Sequence, residues 1–215
     1  MKIKFNISYN LYFLLPFAAW VLSGGALLSY FDKETLFKFF NSRHSAFADT
    51  LIPFITMLGE GWFITLVLVS LMLVSVYRSW AYFVLALLST VLPSLVTQLL
   101  KSNFAAPRPL KYFSGVDWIH ILPHWPRLME RSFPSGHSCG AFGLFCLLAL
   151  LLPRKYQPLG IVFFLLALLV ALSRIYLAAH FFEDIYAGSI LGVIFTLFAV
   201  ITMKRFQHIF TAEKQ

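Results

Sequence analysis

The sequence predicts an all-α polytopic membrane protein, a bundle of six transmembrane helices with an interfacial amphipathic segment between the first two. Three observations carry this. Of 215 residues, 60% are hydrophobic and only 12% charged, where a soluble domain carries about 25% charged residues. A soluble chain this short keeps too much surface in water to hide so many Phe, Leu, Val and Ala side chains. The apolar residues fall in six runs that approach the ~30 Å of a bilayer's hydrocarbon core, and the scarce charges collect where those runs begin and end.

The first run extends from Leu11 to Phe31. It is longer than the apolar stretch of a signal peptide and no A-x-A cleavage pattern follows it, so a retained anchor is expected. Residues 31–60 mix Phe37, Phe39, Phe40, Phe47, Leu51 and Phe54 with polar residues, a pattern that predicts one or two amphipathic helices at the interface. The second run, Trp62 to Tyr77, is short and needs Gly59 to Gly61 or a thinned bilayer to complete it. The remaining runs are Trp80 to Leu100, Pro134 to Leu152, Leu159 to Leu177 and Asp184 to Met203. Trp62 and Trp80 suit an interfacial belt, whereas Trp20 falls mid-span. Cys139 and Cys146 stand seven apart, about 10 Å along a helix axis, too far for a disulfide; packing roles are expected. No internal repeat is present, and residues 1–215 read as a single domain.

The formal charge of +8 comes from 17 basic residues scattered between apolar runs, which excludes the basic face of a nucleic-acid binder. With the N-terminus inside, the inner segments hold Lys2, Lys4, Arg78, Arg154, Lys155, Lys204, Arg205 and Lys214 against one acid, Glu213. These connections are short and almost purely basic, while the outer ones are long and mixed. The predicted orientation therefore has both termini cytoplasmic.

Charges beside transmembrane segments are costly and ask for a reason. The third run ends in Lys101, followed by Arg108 and Pro109; the fourth opens with Pro134, Ser135, Gly136, His137 and Ser138. The fifth ends in Ser173 and Arg174, and the sixth is entered through His180 and Asp184. In an up-and-down bundle all four positions lie at one face, the outer one. Any one of these residues alone would be an ordinary anchor or packing residue. Three fixed cations and two histidines together need an anionic companion, and a phosphate group fits.

Each residue has a use toward such a group. Arg108 and Arg174 can chelate phosphate oxygens with planar forks, and Lys101 adds a compact charge. Ser135, Gly136 and His137 open a helix whose unpaired N–H groups accept an anion. His180 and Asp184 are spaced i, i+4 and share a helix face. A carboxylate on one ring nitrogen leaves the other free to attack phosphorus, and His137, on a different helix, can protonate the leaving group.

These residues resemble the three signature motifs of the type 2 phosphatidic acid phosphatase (PAP2) superfamily, which includes glucose-6-phosphatases and vanadium haloperoxidases. Lys101, Arg108 and Pro109 match K-x6-R-P; Pro134 to His137 match P-S-G-H; Ser173, Arg174, His180 and Asp184 match S-R-x5-H-x3-D. The resemblance implies His180 as the nucleophile of a phosphohistidine, Asp184 as its orienting partner and His137 as the acid. It implies Lys101, Arg108, Ser135, Gly136 and Arg174 as the phosphate-binding set, and neither metal nor cofactor. The outer acids Asp117, Glu130, Glu183 and Asp184 show no spacing typical of a magnesium or zinc site.

A centre at the outer ends of membrane helices suits a substrate with its head group in water and its tail in lipid. The expected substrates are lipid phosphates, among them undecaprenyl diphosphate, phosphatidylglycerophosphate, phosphatidic acid and lipid A, met in a bacterial inner membrane with the site facing the periplasm. Between Leu110 and Phe133, Lys111, Arg127 and Arg131 alternate with aromatic residues and are expected to favour substrates with more than one phosphate. Competing readings are a lipid phosphotransferase using the same residues and a head-group-binding transporter or flippase, although transporter sites sit near the bilayer midplane. An intramembrane protease using Ser135 or Ser138 would leave the cations without a task, and six spans argue against a haloperoxidase.

Overall fold

The computed structural model describes residues 7–206. Lys2, Lys4, Glu213 and Lys214 of the orientation argument lie outside the described residues. The chain forms α1 (Leu11–Tyr30), α2 (Lys33–Asn41), α3 (Ala46–Met57), α4 (Gly61–Leu73), α5 (Trp80–Phe104), α6 (Pro109–Tyr112), α7 (Gly136–Leu151), a 3₁₀ segment at Arg154–Leu159, α8 (Gly160–Tyr176) and α9 (Phe182–Arg205). No strand occurs among the described residues. Helix starts are written in the sequence: side-chain oxygens of Asn10, Asp32, Ser45, Ser79 and Ser135 each accept from an N–H of the first turn, satisfying donors that the helix itself leaves open.

The helices α1, α5 and α9, and the 3₁₀ segment continued by α8 (Arg154–Tyr176), are long and apolar enough to cross a membrane. The second predicted span is realised differently. α4 has 13 residues, about 20 Å of axis, and forms a bent pair with α3, the two helices meeting at 53°. Counted as one span, the pair raises the number to five. α7, with 16 residues and about 24 Å of length, is shorter than a bilayer core.

α7 occupies the centre. Twelve of its residues are buried, and it packs on α9, α8, α5 and α4. The outer helices keep apolar side chains such as Leu15, Leu22, Leu95, Leu99 and Ile194 exposed, the pattern expected where lipid is the solvent. The segment expected at the interface forms α2 and α3, which both dock on α8; Leu36 and Phe37 of α2 are buried, while Phe47 and Phe54 of α3 stay exposed.

Close approach of α7 and α9 depends on Gly188 and Gly192. A Cβ at Gly188 would stand 2.4 Å from the Ser135 carbonyl oxygen, and one at Gly192 2.3 Å from that of Cys139. Four residues apart, they form the small-residue stripe that lets membrane helices touch backbone to backbone. Trp20, anomalous as a belt residue, donates from Nε1 to Ser189 Oγ at 2.8 Å inside the bundle. Cys139 and Cys146 are buried free thiols, as expected.

Polar contacts tie each end of the bundle. At one end Asn10 Nδ2 donates to the carbonyls of Ala149 and Gln157 at 3.0 and 3.1 Å, Tyr77 donates to Leu151 O, and Lys204 lies 4.6 Å over the Tyr9 ring. This end carries Arg78, Arg154 and Lys155. The motif residues gather at the other.

Candidate active site

Four helix ends build the site: the C-terminal ends of α5 and α8 and the N-terminal ends of α7 and α9. His180 lies in the turn between α8 and α9, 2% exposed. Its Nδ1 stands 3.3 Å from Asp184 Oδ2, so a proton on Nδ1 is donated to the carboxylate and Nε2 keeps its lone pair. That Nε2 is 3.4 Å from Arg108 Nη1. Burial, then the charges of Arg108, Arg174 and Lys101, hold the imidazole well below its usual pKa. His180 is thus a neutral base at neutral pH.

Asp184 is held from three directions. Its Oδ2 accepts from Ser132 Oγ at 2.5 Å and from the Phe181 N–H at 2.8 Å besides facing His180. Its main-chain oxygen accepts from the Ser135 N–H at 2.9 Å, which couples the start of α7 to the start of α9.

The three predicted cations converge on this histidine. Arg108 Nη1 donates to Ala179 O at 3.0 Å and Nε to Glu130 O at 2.7 Å. Lys101 Nζ donates to Arg131 O at 3.0 Å. Arg174, 3% exposed, donates from Nη1 to Thr56 Oγ1 at 2.7 Å, and its Nε–H makes no hydrogen bond among the described residues. Carbonyls of residues 129–131 therefore brace Lys101 and Arg108, a task that lies in main-chain atoms and leaves no side-chain signal in the sequence.

Ser135 is buried, and its hydroxyl accepts from the Ser138 N–H at 3.3 Å and from Ser138 Oγ at 2.9 Å. Its N–H thus serves the link to Asp184 and its hydroxyl oxygen the first turn of α7. At Gly136 a Cβ would meet only Thr97 Cγ2, at 3.9 Å, so packing alone does not require glycine there. His137 is engaged by a residue that the sequence reading passed over: its Nε2 lies 2.8 Å from Glu60 Oε1. Among the loop cations, Lys111 is paired with Glu130, while Arg127 and Arg131 form no ion pair among the described residues.

A cavity of about 400 Å³ opens between α4, α5 and α7. Glu60, Gly136 and His137 line it where it meets the site, and Ile64, Leu68 and Leu95 line its apolar part.

Residues 80–208 match the model of the PAP2 superfamily. The chain belongs to this superfamily. It is 31% identical to the lipid A 1-phosphatase of Rhizobium johnstonii over 133 residues, 61% of this chain and 51% of the relative. It is 33% identical to the phosphatidylglycerophosphatase B of Bacillus subtilis over 89 residues, 36% of this chain and 44% of the relative. The chain thus spans about half the length of the curated relatives it matches. Among solved structures it is similar to Aquifex aeolicus LpxE, with a TM-score of 0.66 and 25% identity over 81% of this chain and 98% of that one. The PAP2-type phosphatidylglycerolphosphate phosphatase of Bacillus subtilis shares the fold at a TM-score of 0.64 and 20% identity, over 95% of this chain and all of the other.

Proposed function

We propose that this integral membrane protein hydrolyses lipid phosphates through a phosphohistidine on His180, without metal. One observation carries the reading: a buried neutral imidazole, oriented by Asp184, presents Nε2 beside Arg108 within a group of three buried cations. Such an arrangement suits an anion that must be held while a nitrogen attacks it.

In the first half-reaction the Nε2 lone pair forms a P–N bond as the P–O ester bond breaks, its electron pair staying on the alcohol oxygen. His137 gives that oxygen a proton. Asp184 stabilises the positive charge that develops on the His180 ring. Lys101, Arg108 and Arg174 neutralise the charge spread over the equatorial oxygens, the Arg174 Nε–H being one donor still open to them. Gly136 and the first-turn N–H groups of α7 add further donors. In the second half-reaction His137 takes a proton from water, the water oxygen bonds to phosphorus, and the P–N bond breaks.

The substrate is proposed to be a lipid phosphate of the class named by the relatives, lipid A or phosphatidylglycerophosphate, with phosphatidic acid and undecaprenyl diphosphate as further candidates. The apolar part of the cavity beside His137 suits the alkyl portion of the leaving alcohol. We place six crossing segments in the bilayer, with the α3–α4 bend and α7 completing the count, α2 at the interface, the termini cytoplasmic and the site facing the periplasm of a bacterial inner membrane.

The test is phosphate release by the purified full chain in detergent micelles. Wild-type protein should release inorganic phosphate from at least one of the four lipids, in the presence of a chelator and with inhibition by vanadate; His180→Ala should not. Phosphate appearing only on an acceptor lipid would make it a phosphotransferase. Tight binding of every lipid without turnover would replace the enzyme by a head-group carrier.

A further inference from the structure

Glu60 occupies an unusual position. It is the N-cap residue of α4, yet its side chain makes no capping bond to that helix. It reaches instead to α7, where Oε1 meets His137 Nε2 at 2.8 Å. The approach is enforced by Gly59, at which a Cβ would stand 2.7 Å from Val170 Cγ1 and 3.0 Å from the His137 carbonyl oxygen. Three residues earlier, Thr56 Oγ1 receives the Arg174 guanidinium. The break between α3 and α4 is thus pressed against one residue from each of two motifs.

We infer that Glu60 is a positioning residue that holds the His137 ring by Nε2 and thereby assigns the transferable proton to Nδ1. This rests on the reading of His137 as the leaving-group acid. The ring makes no other hydrogen bond among the described residues. The charges that face it are Glu60 from the α3–α4 break, Arg174 from α8, Lys101 from α5 and, when protonated, His180 from the turn before α9. Glu60 is the acid among them, facing His137 opposite two fixed cations. The Glu60 side chain is 42% exposed, which limits the electrostatic part of its effect and leaves orientation as the larger part. During the first half-reaction the Nδ1 proton passes to the alcohol oxygen and Nε2 stays bonded to Glu60; in the second half-reaction Nδ1 accepts a proton from water.

The experiment compares Glu60→Gln, Glu60→Ala and Glu60→Asp with wild type on two substrates, phosphatidic acid and nitrophenyl phosphate, in micelles of the full chain. An alkyl alcohol needs a proton to leave, whereas nitrophenolate leaves without one. Glu60→Ala should lose about 10- to 100-fold on phosphatidic acid, part of what a positioned acid supplies, and no more than a few-fold on nitrophenyl phosphate. Glu60→Asp should recover part of the loss. Equal losses on both substrates, or failure of Glu60→Asp to recover any of the loss, would overturn the inference and leave Glu60 a packing residue.

The tautomer of His137 supplies a readout that does not depend on turnover. Nitrogen NMR of the histidine-labelled chain, with His137 assigned by His137→Asn, should show its ring signals changing in Glu60→Gln. Unchanged signals overturn the inference. Failure of wild type to release phosphate from nitrophenyl phosphate and from all four lipids would instead defeat the phosphatase reading.

Discussion

Ser132 Oγ lies 2.5 Å from Asp184 Oδ2, and both residues are buried. The hydroxyl donates to the carboxylate that faces His180, so it steadies the proposed nucleophile through one intermediary. Ser132→Ala removes a hydrogen bond to a charged group, worth about 1.5–3 kcal/mol, while the Phe181 N–H bond remains. The expected result is a lower kcat with little change in KM, measured as phosphate release under saturating lipid, together with a lower thermal midpoint. A wild-type kcat in Ser132→Ala would remove Ser132 from the positioning set.

His180 stays neutral because it is buried among cations, and this has a testable sign. The proposed nucleophile is the unprotonated form, so on nitrophenyl phosphate, whose leaving group needs no acid, kcat/KM should hold as pH falls through the usual imidazole range near 6.5 and decline only below it. Arg108→Gln removes one of the cations. The pKa of His180 should then rise and the acid decline should move to higher pH, on top of a loss of about 100-fold or more in kcat/KM from missing charge stabilisation. An acid limb that stays in place would deny Arg108 its influence on His180.

Gly192 faces main-chain atoms of α7, with the Cys139 oxygen 2.3 Å and the Gly143 nitrogen 2.8 Å from where a Cβ would sit. A backbone cannot step aside as a flexible side chain can. Gly192→Val should therefore destabilise the fold by about 1–3 kcal/mol or more and separate the helices that carry His137 and Asp184. Thermal unfolding in micelles reads the first effect and phosphate release at low temperature the second. A variant with unchanged midpoint would show that the two helices have slack.

The pairing of Lys111 with Glu130 bears on substrate preference. Both side chains are 53% exposed, so the pair itself contributes under about 1 kcal/mol, and Glu130→Gln should leave stability unaltered. It should also free the Lys111 charge and raise the ratio of kcat/KM for undecaprenyl diphosphate over phosphatidic acid. The combined change of Lys111, Arg127 and Arg131 to Gln should lower that ratio; an unchanged ratio would confine the loop to packing.

The motif residues were legible because charges are conspicuous in an apolar chain. Lys101, Arg108, His137, Arg174, His180 and Asp184 stand at the ends of runs that alternate in direction, and alternation alone brings them to one face. What stayed hidden follows from how sequence carries information. Ser132 and Thr56 are small polar residues with ordinary neighbours, and the carbonyls bracing Lys101 and Arg108 belong to every amino acid. Glu60 did leave a mark, an acid between two glycines at the mouth of an apolar run, and so did Gly188 and Gly192 at their four-residue spacing. The shortness of α4 was visible in its run; its bend against α3 was not, because Pro53 and Gly59 permit a bend without fixing its angle.

The burial of α7 also sets the height of the chemistry. A helix surrounded by protein does not adjust its depth to the lipid around it; its level is fixed by the backbone contacts with α9. Thicker or thinner bilayers act on α1 and α5, whose surfaces they wet, by tilting them. The end of α7 proposed to hold phosphate then keeps its distance from His180 in membranes of different acyl length, and lipid composition should govern how substrate arrives more than what happens to it afterwards.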